Sequence, residues 1–364
     1  MKQLYKLTLA MLLLPFILFA KDDNKGRYKY EKTKTIKKEF SVDADALLKV
    51  KNRYGNIDII TWDENRIVIE VIITTKGNDE DRVEDKLEDI TVLFEASKNQ
   101  VYAKTIIQKS NNYSSWLSWG NNRNVQYKVN YKIKMPITNT VNLTNDYGDI
   151  SLNRLEGQAS INCDYGAIHI GELLSYENDI DINYTSNSTI ALINGGSIHA
   201  DYSKFTVEKA RKIKLEADYT TSIFENVKQL NYNCDYGSLK VYKAATVIGE
   251  GDYLSTRLGT ILKTANIDAD YGSIRIEEVS DNFESIRITS DYTGVKIGIP
   301  KHTDFTFEIQ LSYAGFKRDR EDDKLKYTKQ IVKSTSKYYE GYVGNQNAEA
   351  SIKIDSDYGG VTFY

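Results

Sequence analysis

The sequence predicts an all-β protein: a single-stranded parallel β-solenoid of about 12 rungs of 17–21 residues, with an N-terminal β-rich cap containing one short helix. Three observations support this fold class. A tyrosine recurs at nearly constant spacing, two columns of apolar residues align on it, and the chain has 27 tyrosines but only 3 prolines. That composition is typical of strands joined by Gly, Asn and Asp turns.

The repeat is marked by tyrosines that stand 17 to 21 residues apart. The predicted structural ladder consists of Tyr147, Tyr165, Tyr184, Tyr202, Tyr219, Tyr236, Tyr253, Tyr271 and Tyr292. Tyr54 precedes this array, Tyr313 continues it and Tyr358 closes it. Units this short cannot bury a core alone, so they must stack on one another.

Residues aligned on the tyrosines alternate as in a strand with one buried face. Four positions before the tyrosine, eleven of twelve units carry a large apolar residue, and two positions before it the residue is mostly small, as at Cys163 and Ala200. Polar residues lie between these two columns, which is the period of a strand. After the tyrosine the alternation resumes one residue out of step, for example at Ile168 and Ile170. We therefore expect each unit to be a strand, a corner and a second strand.

Consecutive antiparallel hairpins in a sandwich or barrel are the competing fold. They predict alternating strand roles and tight Asn-Gly turns, whereas every unit here repeats the same role, which favours the solenoid. At about 4.8 Å per step, eleven steps give a stack roughly 55 Å long.

The corner triplet, as in Asp235-Tyr236-Gly237, recurs along the chain and so indicates a structural column rather than a single catalytic site. By strand parity the tyrosine rings face inward as a buried ladder, although exposed rings that stack on sugars are the alternative. The following glycine is predicted to adopt the positive φ of the corner.

Aspartates precede most of these tyrosines on the outward side: Asp146, Asp164, Asp201, Asp218, Asp235, Asp252, Asp270, Asp291 and Asp357. Stacked carboxylates repel one another, and we expect each to accept hydrogen bonds from N–H groups of its own corner. A column of Ca²⁺ ions is the alternative, since hard cations prefer carboxylate oxygens. Arg53, Asn183 and Ser312 interrupt the column.

The chain divides into six predicted parts. Residues 1–20, with Lys2 and Lys6 before an apolar run, predict a cleaved secretory signal peptide, and an uncleaved anchor is the alternative. The other parts are a flexible polar N-terminus (21–35), a β-rich capping region with the first rung and a short helix (36–140), a regular solenoid (141–316), a charged excursion (317–345) and a C-terminal rung (346–364). No later stretch reaches the ~18 apolar residues of a membrane-spanning helix.

The short helix is predicted within "NDEDRVEDKLEDI", capped by Asn78 or Asp79. Its apolar residues, Val83, Leu87 and Ile90, share one face, so the helix should cover the open end of the solenoid.

Two further residue pairs are singled out by the sequence. Cys163 and Cys234 lie four rungs apart, about 19 Å by the rung spacing, so we predict two buried free thiols and no disulfide between them. Trp116 and Trp119 stand in the polar stretch "NNYSSWLSWGNN" and are the candidate ligand contacts, unless they fold back over the cap.

Neither a catalytic residue, a cofactor site nor a metal site is predicted. His169, His199 and His302 form no recognisable metal or nucleophile pattern, and the near-balanced net charge of −3 argues against a nucleic-acid surface. A β-helix polysaccharide lyase or hydrolase is the enzymatic alternative, but it needs an irregular cluster of acid and base rather than a regular column.

The repeated Tyr-Gly-x-Ile-x-Ile units, the segment around Trp62, the short acidic helix, the "YKIKMP" strand and the closing "YVGNQNAEASIKIDSDYGGVTF" resemble the putative adhesin domain family of unknown function, found in bacterial envelope proteins. The resemblance covers residues 40 to 364 and brings no catalytic residues with it. It implies a repetitive β-solenoid in an exported, non-enzymatic protein that binds an envelope protein or glycan, in the periplasm or on the cell surface of a Gram-negative bacterium. Relatives associated with envelope-stress signalling imply a periplasmic sensor or regulatory partner as the alternative.

Overall fold

The computed structural model describes residues 28–108, 125–319 and 324–364. In this part of the chain, twenty-six strands and one helix follow each other. The N-terminal elements are β1 (Tyr30–Ser41), β2 (Leu47–Arg53), β3 (Ile57–Trp62), β4 (Arg66–Gly77), α1 (Glu80–Asp89), β5 (Ile90–Ala96), β6 (Gln100–Ile107) and β7 (Gln126–Pro136).

The middle of the chain contains β8 (Thr140–Asp146), β9 (Ile150–Leu155), β10 (Ala159–Asp164), β11 (Ile168–Leu173), β12 (Asn178–Asn183), β13 (Ser188–Asp201), β14 (Lys204–Asp218), β15 (Thr221–Asp235), β16 (Ser238–Asp252) and β17 (Ser255–Asp270). The remaining strands are β18 (Ser273–Val279), β19 (Ser285–Asp291), β20 (Gly294–Ile297), β21 (Phe305–Ser312), β22 (Phe316–Arg318), β23 (Leu325–Val332), β24 (Ser336–Val343), β25 (Ser351–Asp357) and β26 (Val361–Phe363).

Equivalent strands of successive units pair in parallel, which confirms the predicted solenoid-like, all-β architecture. Strand β14 pairs with β15 from Lys204 opposite Thr221 to Asp218 opposite Asp235, a shift of one complete unit. Antiparallel hairpins between consecutive units are therefore not the basis of the repeat. The parallel register places equivalent side chains in columns along the stack.

Each long strand bends where two consecutive side chains face outward. In β14 burial alternates from Phe205 to Val207, is interrupted by the exposed pairs 208–209 and 211–212, and alternates again from Ile213 to Ala217. Because each bend lets the chain turn without exposing its apolar positions, one continuous core runs through the stacked units.

The N-terminal cap is built from two antiparallel arms. Strand β1 pairs with β4, which pairs with β7, and β5 pairs with β6. The rings of Phe40 and Phe94 lie 6.2 Å apart where the arms meet. Residues 30–35, expected to be flexible, instead belong to strand β1, because its backbone pairs with β4 over its whole length.

Helix α1 packs against these arms. Asp79 is its N-cap, and its carboxylate accepts a hydrogen bond from the Arg82 amide, as predicted. Val83 is fully buried, and its carbonyl accepts a hydrogen bond from Thr75 Oγ1 at 2.9 Å. The helix ends at Asp89, so the buried Ile90 already belongs to β5.

The last segment of the chain is not the last layer of the solenoid. Strand β25 pairs in parallel with β19 on one side and with β21 on the other. The sequence order had placed Tyr358 at the end of the array, but its ring lies between those of Tyr292 and Tyr313. No periodicity in the sequence marks this insertion.

The described residues of the charged excursion predicted for residues 317–345 are mostly strand. β23 pairs antiparallel with β24, and β24 pairs antiparallel with β21. Tyr327 and Tyr339 contact each other at 5.8 Å between ring centroids, and Tyr327 also contacts Phe307. A hairpin, not a solvated loop, therefore covers this end of the core.

Within residues 28–108, 125–319 and 324–364, no helix is both long enough and apolar enough to cross a membrane.

Candidate functional site

The most regular surface of the protein is the edge formed by the corner tyrosines and the aspartates before them, here called the tyrosine edge. Eleven successive ring pairs connect twelve tyrosines of the described chain, with centroid separations of 4.6–5.1 Å and interplanar angles of 1–10°. In spatial order they are Tyr54, Tyr147, Tyr165, Tyr184, Tyr202, Tyr219, Tyr236, Tyr253, Tyr271, Tyr292, Tyr358 and Tyr313. The predicted ladder is therefore present.

The ladder lies on the surface, and the expectation of a buried ladder was wrong. Tyr147 is 44% exposed and Tyr313 is 61% exposed, with the intervening rings between these values. The physical reason is backbone conformation: each of these tyrosines has φ between 50° and 62°. A left-handed residue reverses the strand parity at its own position, so the ring points outward where alternation predicts inward.

Positive φ therefore belongs to the tyrosine and not to the glycine after it, which corrects the predicted role of the glycines. The residue after the tyrosine occupies the inside of the corner, where space is short. A Cβ on Gly166 would lie 2.0 Å from the Gly148 carbonyl oxygen. Other units place a hydroxyl there: Thr220 Oγ1 donates to the Ala200 carbonyl at 2.8 Å and accepts from the Ser203 amide at 3.0 Å.

The aspartates bond between rungs rather than within their own corner, which corrects the predicted capping. Asp235 Oδ1 accepts from the Asp252 amide at 2.8 Å, and Asp218 Oδ1 accepts from the Asp235 amide at 3.2 Å. The Asp270 carboxylate makes the same contact with the Asp291 amide. These carboxylates tie one rung to the next, and the hydrogen bonds offset part of the repulsion between neighbours.

The column remains electrostatically unfavourable in its middle. Burial, followed by the Asp235 and Asp270 carboxylates, raises the pKa of Asp252 above its usual value. Burial and the flanking Asp270 and Asp357 likewise raise the pKa of Asp291. The described residues contain no group of three or more His, Cys, Asp or Glu side chains arranged to hold a metal ion.

Arg53 begins the column at its N-terminal end. Its guanidinium lies 3.6 Å from Asp146 Oδ2 and 5.0 Å from the centroid of the Tyr54 ring. Tyr127 contacts that same ring edge-on at a centroid distance of 5.2 Å. This end of the ladder is therefore covered by protein.

The other flank of the tyrosines is basic over four successive rungs. The parallel register aligns Lys240, Arg257, Arg275 and Lys296 four residues after their tyrosines. Glu277 lies between two of these cations, 2.7 Å from Arg257 and 2.9 Å from Arg275. Its hydrogen bond with Arg275 is the main reason that the pKa of Glu277 falls to about 2.

The stacking of the rings determines which chemical groups of the tyrosine edge a partner can contact. Both faces of an internal ring such as Tyr236 are covered, by Tyr219 at 5.0 Å and Tyr253 at 4.9 Å. A sugar ring cannot stack on these faces. The edge instead presents ring edges, phenolic hydroxyls and carboxylates, which suit a polar partner that makes hydrogen bonds.

The other sequence candidates are distributed as follows. Trp116 and Trp119, together with residues 1–20, lie outside the described residues. Cys163 and Cys234 are both free and buried, as predicted, and burial raises the pKa of each thiol to about 12. His199 Nδ1 lies 3.1 Å from Glu216 Oε2 on the surface.

A scan of protein-family models and a search of curated protein sequences gave no match. Similar solved structures include a putative adhesin from Parabacteroides distasonis, at TM-score 0.37 and 11% identity, covering 73% of this chain and 93% of that one. A putative cell adhesion protein from Clostridium sporogenes has TM-score 0.19 and 11% identity, covering 91% and 99%. A putative lipid binding protein from Parabacteroides distasonis has TM-score 0.26 and 10% identity, covering 91% and 96%.

Proposed function

We propose that this chain is an exported, non-enzymatic, adhesin-like binding protein of the cell envelope, acting in the periplasm or at the surface of a Gram-negative bacterium. The tyrosine edge carries the proposal, because it is a long, regular and solvent-exposed array of identical groups. Tyr219, Tyr236 and Tyr253 each expose about half of their surface, at 50%, 48% and 49%.

A rigid array favours binding because its groups are already ordered. The parallel backbone pairing, the ring stacking and the inter-rung carboxylate contacts order the tyrosine rings and aspartates before a partner arrives. Less conformational entropy is then lost on association. The partner class is an envelope protein or glycan that donates hydrogen bonds to the carboxylates.

Regular chemistry along the edge supports a non-enzymatic role. General acid and base catalysis requires two titratable groups whose surroundings separate their pKa values. Asp252 and Asp291 instead occupy equivalent positions, and the pKa of each moves in the same direction. Measurable turnover of a polysaccharide by the purified protein would overturn this part of the proposal.

The binding role is tested by changing Asp218, Asp235 and Asp252 together to Asn. Asn keeps an oxygen that accepts the inter-rung hydrogen bond but removes the charge. We expect this variant to lose binding in a glycan array and in a pull-down from envelope extract.

The matched control changes three other exposed carboxylates, Glu208, Glu225 and Glu278, to Gln, and so alters the net charge equally. The control should bind as the parent does. Equal binding by both variants would show that the tyrosine edge is not the contact surface.

Cell fractionation and protease treatment of intact cells test the location. Cleavage on intact cells supports a surface adhesin, whereas full protection supports the periplasmic sensor or regulatory role. Recovery from the cytoplasm would contradict export.

A further inference from the structure

The solenoid contains a layer that the chain fills out of order. Strands β19 and β21 are the equivalent strands of two consecutive sequence units, yet they do not pair with each other, because β25 lies between them in parallel with both. Elsewhere in the regular repeat, a unit pairs with the next unit in sequence, as β14 does with β15. Between β20 and β21 the chain advances two layers and leaves a slot, which residues 351–364 occupy.

The inserted segment is hydrogen-bonded on both sides. The Tyr292 amide donates to the Asp357 carbonyl, and the Tyr358 amide donates to the Ser312 carbonyl, both at 2.8 Å. In the core, Ser290 Oγ donates to Ser356 Oγ at 3.0 Å. Strand β25 is paired over its whole length, Ser351–Asp357, with both β19 and β21.

Side chains of the segment complete the core and the ladder. Ile352, Ile354 and Val361 are fully buried or nearly so. The ring of Tyr358 lies 4.6 Å from that of Tyr292 and 4.9 Å from that of Tyr313. Without the segment, the apolar edges on both sides of the slot would face water.

The segment obtains these contacts from layers that precede it by tens of residues, and not from β24, its neighbour in sequence. The connection between them, residues 344–350, is largely exposed. Seven extended residues span at most about 25 Å. The inserted segment, residues 351–364, is here called the donor. It is joined to the preceding hairpin only by this short surface connection.

We propose that this slot is a strand-accepting site that also takes residues 351–364 from a second copy of the chain, giving a reciprocal strand-exchanged dimer. Both copies carry the same donor and the same slot, so every contact made within one chain can be made between two. Addition of a strand to open sheet edges is a known mode of protein recognition, with main-chain bonds supplying affinity and side-chain pockets supplying specificity.

The tethered segment has the advantage in dilute solution, because a short connection gives it a high effective concentration. Exchange requires that the slot be empty when two chains meet, as it is during refolding. Insertion within a chain is first order and insertion between chains is second order. The dimer-to-monomer ratio should therefore increase about tenfold for a tenfold increase in protein concentration during refolding.

The test uses two full-length variants in a Cys163→Ala/Cys234→Ala background, one with Ser290→Cys and the other with Ser356→Cys. Neither variant can form the 290–356 disulfide within one chain. After mixed refolding and oxidation, we expect a covalent heterodimer on non-reducing gels whose yield increases with protein concentration. Deletion of residues 345–347, which shortens the connection, should raise that yield further.

Two controls make the result decisive. The Ser290→Cys/Ser356→Cys double variant should form the disulfide within one chain, which shows that the geometry permits it. Replacing Ser356→Cys with Lys353→Cys, an outward position of the same strand, should give no heterodimer above background. Absence of the heterodimer at every concentration, while the double variant cross-links, would overturn the proposal.

Discussion

At the residue scale, the corner tyrosine combines an unfavourable backbone with a favourable side chain. Left-handed φ costs roughly 1–2 kcal/mol for a residue with a Cβ. Each internal ring recovers free energy from two stacked neighbours, as Tyr236 does from Tyr219 and Tyr253. Its amide also donates to the Asp252 carbonyl at 3.0 Å. Tyrosine is thus retained at a position where glycine would be conformationally easier.

Replacing Tyr236 by Ala should lower the free energy of unfolding by about 1–3 kcal/mol, since two ring contacts of about 0.5–1.5 kcal/mol each are lost. Tyr236→Gly should be about 1 kcal/mol less destabilising than Ala, because glycine relieves the left-handed strain. Urea unfolding measures both. Tyr242 is 51% exposed but stands outside the ladder, so Tyr242→Ala should cost less than about 0.5 kcal/mol. Equal losses at the two sites would contradict a stabilising ladder.

Gly249 shows how one rung compensates for its neighbour. Tyr232 is a large buried side chain in the apolar column, and a Cβ on Gly249 would lie 2.3 Å from its carbonyl oxygen and 2.4 Å from its Cδ1. We expect Gly249→Ala to destabilise the protein by about 1–3 kcal/mol through overpacking. Gly294 has no atom within 4 Å of an added Cβ, so Gly294→Ala should leave the unfolding midpoint almost unchanged. A comparable shift for both would disprove the steric explanation.

At the scale of single elements, the order of the strands in the stack differs from their order in the sequence at the C-terminal end. Strand β25 is paired on both sides, and so is β24, whereas the register of β23 joins it to β24 alone among the described strands. β23 is also exposed along nearly its whole length. Strand β25 should therefore be better protected than β23, although β25 comes later in the sequence.

Hydrogen exchange should reveal this difference. We predict that about half of the β23 amides exchange rapidly, because alternate N–H groups of an edge strand point away from its partner. Amides of β25 should exchange as slowly as those of β24, although β25 is near the chain terminus. Mass spectrometry of peptic peptides gives the measurement, and rapid exchange throughout β25 would contradict its inserted position.

At the scale of the whole molecule, stacking identical rungs makes an electrostatic cost accumulate along the axis. The aspartates of the tyrosine edge lie in adjacent rungs, and neighbouring carboxylates contribute to the raised pKa values of Asp252 and Asp291. Asn183 interrupts the column, and its amide donates to Asp164 Oδ1 at 3.2 Å. Interruptions of this kind reduce the repulsion without opening the backbone ladder.

This cost predicts a pH dependence. The pKa values of Asp252 and Asp291 are higher in the folded protein than the usual 3.8. Between the usual pKa and the raised pKa the folded state binds more protons than the unfolded state, so the destabilising effect of these two carboxylates decreases as the pH falls through this range. The Asp252→Asn/Asp291→Asn variant should be more stable than the parent at pH 7, and the difference should shrink as the pH approaches 4. Urea unfolding at several pH values measures it.

Glu277 provides a control of opposite sign. Its pKa falls from 4.5 to about 2 on folding, so its ion pairs stabilise the protein at neutral pH and lose this effect as the pH falls below 4.5. Glu277→Gln should therefore be less stable than the parent at pH 7. The same pH response in both variants would argue against carboxylate repulsion as the cause.

The sequence by itself determined the repeat, the buried apolar columns, the short capped helix and the two isolated thiols. Each of these depends on spacing along one chain, such as the four-rung separation of Cys163 and Cys234. The tertiary structure decided three further features: the tyrosine rings face outward, the aspartates bond between rungs, and the last segment lies inside the stack. A residue with left-handed φ interrupts the alternation of inward and outward side chains along a strand. The column pattern predicts which side chains of a segment are buried, but it does not predict which layer of the stack the segment occupies. Contacts between distant parts of the chain therefore settled where the ladder points and which strand fills the slot.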